Sequence, residues 1–168
     1  MKIKRKLLST LKSELVNTNK GLVIYGPRQV GKTTLINDLL NEFKWNTLIL
    51  NGDQRGSWWE LLTSRELSKL TLLTSGYDAV FIDEAQRIPE IGLSLKILLD
   101  NFPKLKIIVT GSSSLDLASK ISEPLTGRIY SYKLFPISCG ELREIKTPYE
   151  METQIEERLI YGSYPEIF

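Results

Sequence analysis

The sequence has 168 residues, of which 42% are hydrophobic and 25% are charged, and its formal net charge is +2. This composition indicates one globular domain and excludes disordered and fibrous classes. The chain has no histidine and one cysteine, which excludes histidine-based catalytic triads and cysteine metal clusters. No window approaches the roughly 18 apolar residues of a membrane span, so we expect a cytoplasmic protein without a membrane partner. The charge is too small to indicate nucleic acid, and nucleic-acid binding stays open with no motif behind it.

Helices and short apolar strands alternate along the predicted chain. An amphipathic helix is predicted at residues 5–16, within an N-terminal segment of residues 1–20. The predicted strands are residues 21–25, 46–50, 78–83, 106–110 and 128–134, and the helices between them are residues 33–43, 58–70, 91–102 and 114–121. Strands that are apolar throughout and separated by helices favour a parallel sheet with helices on both faces. We therefore expect an α/β fold of three layers.

The segment after the fifth strand loses strand character. It begins with FPISCGEL, residues 135–142, in which Cys139 is expected to be a small buried residue. The last residues, 151–168, predict a helix followed by a turn-rich end.

A phosphate-binding loop is predicted in GPRQVGKTTL, residues 26–35. The spacing G-x-x-x-x-G-K-[ST] lies between a predicted strand and a predicted helix, which is the context that this motif requires. The glycines allow backbone N–H groups to approach phosphate oxygens at the start of the helix. We expect Lys32 to bridge the β- and γ-phosphates and the Thr33 hydroxyl to ligate Mg²⁺. The predicted nucleotide-binding residues are Gly26, Pro27, Arg28, Gln29, Val30, Gly31, Lys32, Thr33 and Thr34. The motif does not demand Arg28 or Gln29, for which an exposed loop position is an equal alternative.

Two carboxylates follow the third predicted strand, in AVFIDEAQ, residues 79–86. Ligands of open parallel sheets bind at the carboxyl ends of the strands. We expect Asp83 to face Mg²⁺ and Glu84 to orient and deprotonate the attacking water. The alternative is a solvated acidic pair at the end of a strand.

Small polar residues follow the fourth predicted strand. The spacing allows this strand to lie between the strand of the phosphate loop and the strand of the acids. It would then present GSSS, residues 111–114, beside the γ-phosphate. Ser112, or Thr110, is the predicted sensor that hydrogen-bonds the water or the γ-phosphate. The alternative is a turn built of small polar residues.

The N-K-x-D motif typical of guanine specificity does not occur downstream of the loop, so ATP is the predicted nucleotide.

Three function classes share such a phosphate loop. The leading hypothesis is an ATPase that acts as a switch or motor component. A small-molecule or nucleoside kinase would need an acceptor pocket and several arginines, and only Arg128 lies between Ser112 and Leu134. The third class is a nucleotide-dependent binding module without turnover.

Five blocks in this order resemble prokaryotic AAA-superfamily ATPases whose ATPase core precedes a C-terminal domain of uncharacterised function. The blocks are GPRQVGKTTL, FIDEAQRIPEIGLSLKILLD, IIVTGSSSLDL, LTGRIYSYKLFPISCGEL and YGSYP. The resemblance implies a P-loop NTPase core with sheet order 5-1-4-3-2, ATP and Mg²⁺ as ligands, and catalytic roles for Lys32 and Glu84. We expect the core at residues 1–146 and the truncated start of a C-terminal helical region at residues 147–168.

The resemblance also implies a role for Arg128, in the LTGR sequence before the fifth strand. AAA proteins carry there an arginine that reaches the γ-phosphate bound to a neighbouring subunit, so self-association would place Arg128 in trans. An equal alternative is an arginine paired with a local acid such as Glu123. The family's chains continue past this point, so the output is expected in a missing C-terminal domain or a partner protein.

Overall fold

The computed structural model describes residues 3–112 and 124–167, and five parallel strands form its centre. The strands are β1 (Gly21–Tyr25), β2 (Thr47–Asn51), β3 (Ala79–Asp83), β4 (Lys106–Gly111) and β5 (Ile129–Lys133). Their order is β2-β3-β4-β1-β5, and every neighbouring pair is parallel. This is the predicted order 5-1-4-3-2 counted from the other edge, which confirms the predicted P-loop NTPase topology.

Eight α-helices surround this sheet in the described part of the chain. They are α1 (Leu7–Asn17), α2 (Lys32–Asn41), α3 (Trp58–Thr63), α4 (Leu67–Thr74), α5 (Ile91–Asn101), α6 (Cys139–Leu142), α7 (Pro148–Thr153) and α8 (Ile155–Tyr161). Short 3₁₀ turns lie at Ala85–Arg87 and Pro165–Ile167. The described residues contain no helix with the length and apolar character needed to cross a membrane.

The core lies in two layers because successive strand side chains point to opposite faces of the sheet. In β1, Leu22 and Ile24 pack with buried leucines of α1 and α2, whereas Val23 packs on the other face. In β3, Phe81 belongs to the first layer and Val80 and Ile82 to the second, where α3, α4 and α5 contribute their leucines. The predicted three-layer arrangement is therefore confirmed.

The prediction of one helix over residues 58–70 is wrong. The chain forms α3 and α4 instead, separated by Arg65, whose φ of 59° is left-handed and interrupts helical hydrogen bonding. The Leu62 carbonyl near the end of α3 accepts a hydrogen bond of 2.8 Å from the buried Ser94 hydroxyl of α5. Both short helices pack against α5. Tertiary packing therefore outweighs a periodicity that continues across the break.

The C-terminal part also differs from the prediction. The helix expected after residue 151 is two short helices, α7 and α8, and Cys139 is exposed rather than buried. Cys139 is the first residue of α6, and the buried positions of that helix belong to Glu141 and Leu142. The helix predicted at residues 114–121 lies outside the described residues.

Candidate nucleotide site

The phosphate loop leaves β1 at Gly26 and enters α2 after Gly31. A Cβ atom at Gly26 would lie 2.3 Å from the backbone oxygen of Leu134, so only glycine allows the chain to pass β5 this closely. Gly31 is the N-cap of α2 and has φ of 90°, which is unfavourable for a residue with a side chain. The loop therefore aims the N-terminus of α2 at the carboxyl edge of the sheet.

The side chain of Lys32 folds back over this loop. Its Nζ donates to the carbonyl oxygens of Gly26 at 3.0 Å and Pro27 at 2.8 Å, and the residue is buried. Burial lowers the pKa of the ammonium below 10.5, and the charges of Glu84 and Asp83 oppose that shift. The ammonium is thus hydrogen-bonded to two loop carbonyls and attracted by two nearby carboxylates.

Asp83 joins the loop to the strands beside it. Its carboxylate is 7% exposed and accepts hydrogen bonds from the Thr33 hydroxyl at 2.7 Å, the Glu84 N–H at 3.1 Å and the Thr110 hydroxyl. Thr110 comes from β4, which lies between β1 and β3. The fourth strand lies at its predicted position in the sheet, and this position brings the buried hydroxyl of Thr110 to the Asp83 carboxylate.

Carboxylate and hydroxyl oxygens are the ligands that Mg²⁺ prefers. The 2.7 Å separation of the Thr33 and Asp83 oxygens, beside the phosphate loop, places two such ligands together. Because Thr33 donates its proton to Asp83, its hydroxyl oxygen keeps lone pairs for a cation. These residues fit a magnesium ion bound with a nucleotide.

Glu84 occupies a strained turn directly after β3. Its φ of 50° and ψ of 42° are left-handed, which is uncommon for residues other than glycine and concentrates at functional sites. The Gln86 amide donates both to Oε2 of Glu84 and, at 2.9 Å, to the Ser112 hydroxyl. The two predicted sensor positions therefore differ, because Thr110 bonds Asp83 and Ser112 is linked to Glu84 through Gln86.

A cavity of about 510 Å³ is lined by half of the site residues predicted from the sequence. The predicted residues that line it are Arg28, Gln29, Gly31, Lys32, Thr33, Thr34 and Glu84. Asp53, Pro165 and Glu166 complete the wall and were not predicted. Val30 points elsewhere, because its side chain is fully buried in the core layer under α1 and α2.

A second cavity, of about 460 Å³, also lies at the start of α2. It shares Gly31, Thr34 and Pro165 with the first cavity. Its other lining residues are Ile3, Arg5, Leu35, Asp38 and Ile137. Three aliphatic side chains and a few polar groups give it the mixed lining that is common in small-molecule pockets.

Arg5 lines the second cavity and is bonded to the phosphate loop, and it was not predicted from the sequence. Its guanidinium donates to the Val30 carbonyl of the phosphate loop at 2.9 Å, to the Phe135 carbonyl, and to Oε1 of Glu141 at 3.0 Å. Glu141 is buried in a capping box with Ser138. The only signal in the sequence was the S-x-x-E spacing of that box, which does not reveal its partner at residue 5.

Burial acts to raise the pKa of the Glu141 carboxyl, but hydrogen bonds outweigh it. Donors from Ser138, Lys6 and Arg5 hold that pKa below its usual value of 4.5. A charged carboxylate therefore anchors the N-terminal segment to the loop after β5.

Arg128 lies at the opposite edge of the sheet from the phosphate loop. Its carbonyl accepts from the N–H of Gly21, where β1 begins. Five strand residues at about 3.3 Å each separate this edge from the loop, so Arg128 cannot contact a phosphate bound by its own chain. Its guanidinium pairs with Asp100, with Nε to Oδ1 at 2.6 Å and Nη2 to Oδ2 at 3.2 Å. Glu123, the partner suggested by the sequence, lies outside the described residues.

Known proteins share this fold. A family model of the AAA domain matches residues 18–143. The uncharacterized protein Rv2008c of Mycobacterium tuberculosis is 32% identical over 123 residues, which are 72% of this chain and 26% of that protein. The chain thus spans about a quarter of the length of the curated relatives that it matches.

Two solved structures are similar in fold. The Walker-type ATPase Paby2304 of Pyrococcus abyssi superposes with a TM-score of 0.66 and 23% identity, over 98% of this chain and 65% of its own. The RuvB Holliday junction branch migration motor of Thermotoga maritima gives a TM-score of 0.56 and 22% identity, over 85% of this chain and 49% of its own. At such identities the similarity establishes the fold.

Proposed function

The chain belongs to the AAA domain family, and from that premise we propose that it binds ATP together with Mg²⁺ and hydrolyses the nucleotide to ADP and phosphate. One observation carries the proposal. At the carboxyl edge of the sheet, Lys32, Thr33 and Glu84 line one cavity. The Thr33 hydroxyl is hydrogen-bonded to Asp83 behind it. These are the groups that phosphate binding, metal binding and water activation require.

The phosphates would lie in the 510 Å³ cavity. Backbone N–H groups at the start of α2 and the ammonium of Lys32 supply its positive charge. Thr33 and Asp83 would hold Mg²⁺, which when bound neutralises charge on phosphate oxygens. The adenine would occupy the 460 Å³ cavity, between Ile3, Leu35 and Ile137.

Hydrolysis would depend on Glu84. Glu84 lies at the wall of the phosphate cavity, and its carboxylate accepts a hydrogen bond from the Gln86 side-chain amide. A carboxylate in this position can orient a water molecule towards the terminal phosphate and take its proton. Ser112, bonded to the same amide, would report the occupancy of the site.

The unit that ATP hydrolysis drives would lie outside this core, in a C-terminal domain or a partner protein. We propose residues 1–146 as the ATPase core and residues 147–168 as the start of a C-terminal helical region. The last helix, α8, supports this division because its Leu159 is 81% exposed and Ile160 is 73% exposed. Apolar side chains this exposed are typical of a surface that another unit covers. Self-association with Arg128 acting in trans is part of the same proposal.

Phosphate release from ATP, measured without an added acceptor and at several protein concentrations, tests this function. We expect release by the wild type and its loss in Glu84→Gln, while binding of a fluorescent ATP analogue persists. Glu90→Gln is the matched control, because Glu90 is also a left-handed glutamate, with φ of 48°, but pairs with Arg65 on the surface.

Three results would contradict the proposal. Absence of release at every concentration would argue against hydrolysis by this chain. Formation of ADP only when a small-molecule acceptor is present, with the phosphoryl group on the acceptor and no free phosphate, would instead indicate a kinase. ATP binding without either reaction would indicate a binding module.

A further inference from the structure

Gly52 is the first residue after β2, and it touches the peptide that follows Asp83. The register pairs Asn51 with Asp83 at the end of the sheet. One residue further, the Gly52 N–H donates to the Asp83 carbonyl at 2.8 Å. A Cβ atom at Gly52 would lie 2.4 Å from the carbonyl oxygen of Glu84 and 3.2 Å from Cβ of Arg87. No side chain fits there without displacing the turn that carries Glu84.

The turn is held rigidly around this contact. A hydrogen bond of 3.0 Å from the Arg87 N–H to the Glu84 carbonyl closes the turn. The Asn51 side chain accepts from the Asp53 N–H at 2.9 Å and fixes the course of the chain past Gly52. Both segments that meet at this point are therefore constrained by their own hydrogen bonds.

An ion pair joins the same two segments a second time. Nε of Arg87 lies 3.2 Å from Oδ1 of Asp53, and both side chains are about half exposed. Arg87 belongs to the 3₁₀ turn directly after Glu84. An exposed ion pair contributes little energy by itself, so it supplements the close contact at Gly52.

We infer that Gly52 is a positioning residue for hydrolysis, which sets the place of the Glu84 carboxylate through contact with the Glu84 backbone. The inference rests on the proposed function, because it assigns to Gly52 the alignment of the group that would activate water. Glu84 has an unfavourable backbone conformation, so an external contact is needed to keep it there. Asp53 and Arg87 assist Gly52 from the surface.

A methyl group at residue 52 should therefore affect turnover more than binding. To reach an ordinary contact distance, the Glu84 carbonyl must move by about 1 Å, and displacements of this size can lower rates about 100-fold. The phosphate loop connects β1 to α2, and both β3 and β4 lie between β1 and β2. The affinity for ATP should consequently remain within about threefold of the wild-type value.

The experiment compares Gly52→Ala with Gly76→Ala in the full chain. Gly76 has φ of 80° and nothing within 4 Å of an added Cβ, so its alanine variant controls for the general cost of replacing a glycine. We expect Gly52→Ala to lower kcat about 100-fold with KM for ATP nearly unchanged, and Gly76→Ala to keep the wild-type kcat. Circular dichroism and binding of a fluorescent ATP analogue verify that each variant is folded.

If Gly52→Ala does not fold, two variants of Arg87 test the inference. Arg87→Gln should lower kcat about threefold. Arg87→Lys should keep the wild-type kcat, because lysine keeps the charge that Asp53 attracts. Arg65→Gln removes an exposed ion pair elsewhere, with Glu90, and should leave kcat unchanged.

The outcomes separate this inference from the proposed function. A wild type that releases no phosphate overturns the proposed function, and this inference falls with it. An active wild type beside a folded Gly52→Ala of equal kcat overturns the inference alone. An unfolded Gly52→Ala together with an Arg87→Gln of wild-type kcat overturns it as well.

Discussion

Asp83 and Asp100 are both hydrogen-bonded carboxylates, but they lie at opposite edges of the sheet. Asp83 is the last residue of β3 at the carboxyl edge, is 7% exposed, and accepts hydrogen bonds from two hydroxyls and one N–H. Asp100 lies at the end of α5, at the amino edge, and accepts two hydrogen bonds from Arg128. Its side chain is 40% exposed, and the Arg128 hydrogen bonds lower the pKa of its carboxyl.

This difference has a physical consequence. A buried carboxylate is costly unless donors surround it, and removing a donor leaves that cost uncompensated. An exposed ion pair can instead exchange its partner for water at little cost. The carboxyl edge is therefore built for a fixed geometry, whereas the pair of Arg128 and Asp100 can open. Substitutions at each edge test this difference.

The largest effect is expected from Lys32→Ala at the carboxyl edge. The variant loses a buried ammonium beside the phosphate cavity, and we expect turnover to fall by about 10²- to 10³-fold, as for other preorganised donors. Nucleotide titration and phosphate release measure this. Lys20→Ala is the control, because Lys20 precedes β1 and lies over the Tyr130 ring. Similar losses of turnover in both variants would contradict a specific role for Lys32.

Thr110→Val should have the next largest effect. It keeps the shape of a fully buried side chain and removes one donor to Asp83. Leaving a buried acceptor with fewer donors costs about 1–3 kcal/mol, which urea unfolding would detect, and turnover should fall about tenfold. Thr74→Val is the matched control because Thr74 is also buried but donates only to the Leu70 carbonyl of its own helix. Equal destabilisation in both variants would contradict the special role of Asp83.

Acid should weaken the anchor between Arg5 and Glu141. The pKa of Glu141 is lowered in the folded state from its usual 4.5, so the unfolded state binds this proton more tightly. The stabilisation is therefore complete above about pH 4.5 and is lost as the pH falls through the folded-state pKa.

Urea unfolding between about pH 3 and about pH 6 measures this loss. Glu141→Gln should flatten the pH dependence of stability. Glu150→Gln is the control, since Glu150 belongs to a second capping box, with Thr147, but is fully exposed. If Glu150→Gln flattened the curve more than Glu141→Gln, the anchoring role of Glu141 would be contradicted.

The smallest effect on the isolated chain is expected at the amino edge. Arg128→Ala and Asp100→Asn should leave the midpoint of urea unfolding unchanged, because the pair is exposed. If Arg128 acts in trans, Arg128→Ala should abolish any rise of specific activity with protein concentration, and Asp100→Asn should strengthen it by releasing the arginine. A specific activity that does not depend on concentration in any of the three proteins would contradict trans action.

The local motifs were predictable because each of them consists of residues that are adjacent in the chain. The loop from Gly26 to Thr33 and the acids after β3 follow from spacing and from the apolar strands that precede them. The strand order was predictable from the resemblance together with the regular alternation of strands and helices. Both kinds of inference use short segments, in which each residue constrains its neighbours.

The missed features all depend on residues far apart in the chain. Arg5 and Glu141 are separated by 136 positions, and Arg128 and Asp100 by 28. The break at Arg65 depends on how α3 and α4 each pack on α5. Nothing in the local pattern distinguishes these residues from ordinary surface charges or from a continuous helix.

Local sequence patterns were enough to predict a phosphate loop, a pair of acids at a strand end and a parallel sheet that aligns them. The folded chain adds three contacts that those patterns do not contain: Thr110 donates to Asp83, Gly52 touches the Glu84 turn, and Arg128 pairs with Asp100 at the amino edge. The physical reason is that backbone propensity and hydrophobic period act over a few residues, whereas close packing and the pairing of buried polar groups depend on which segments meet in space.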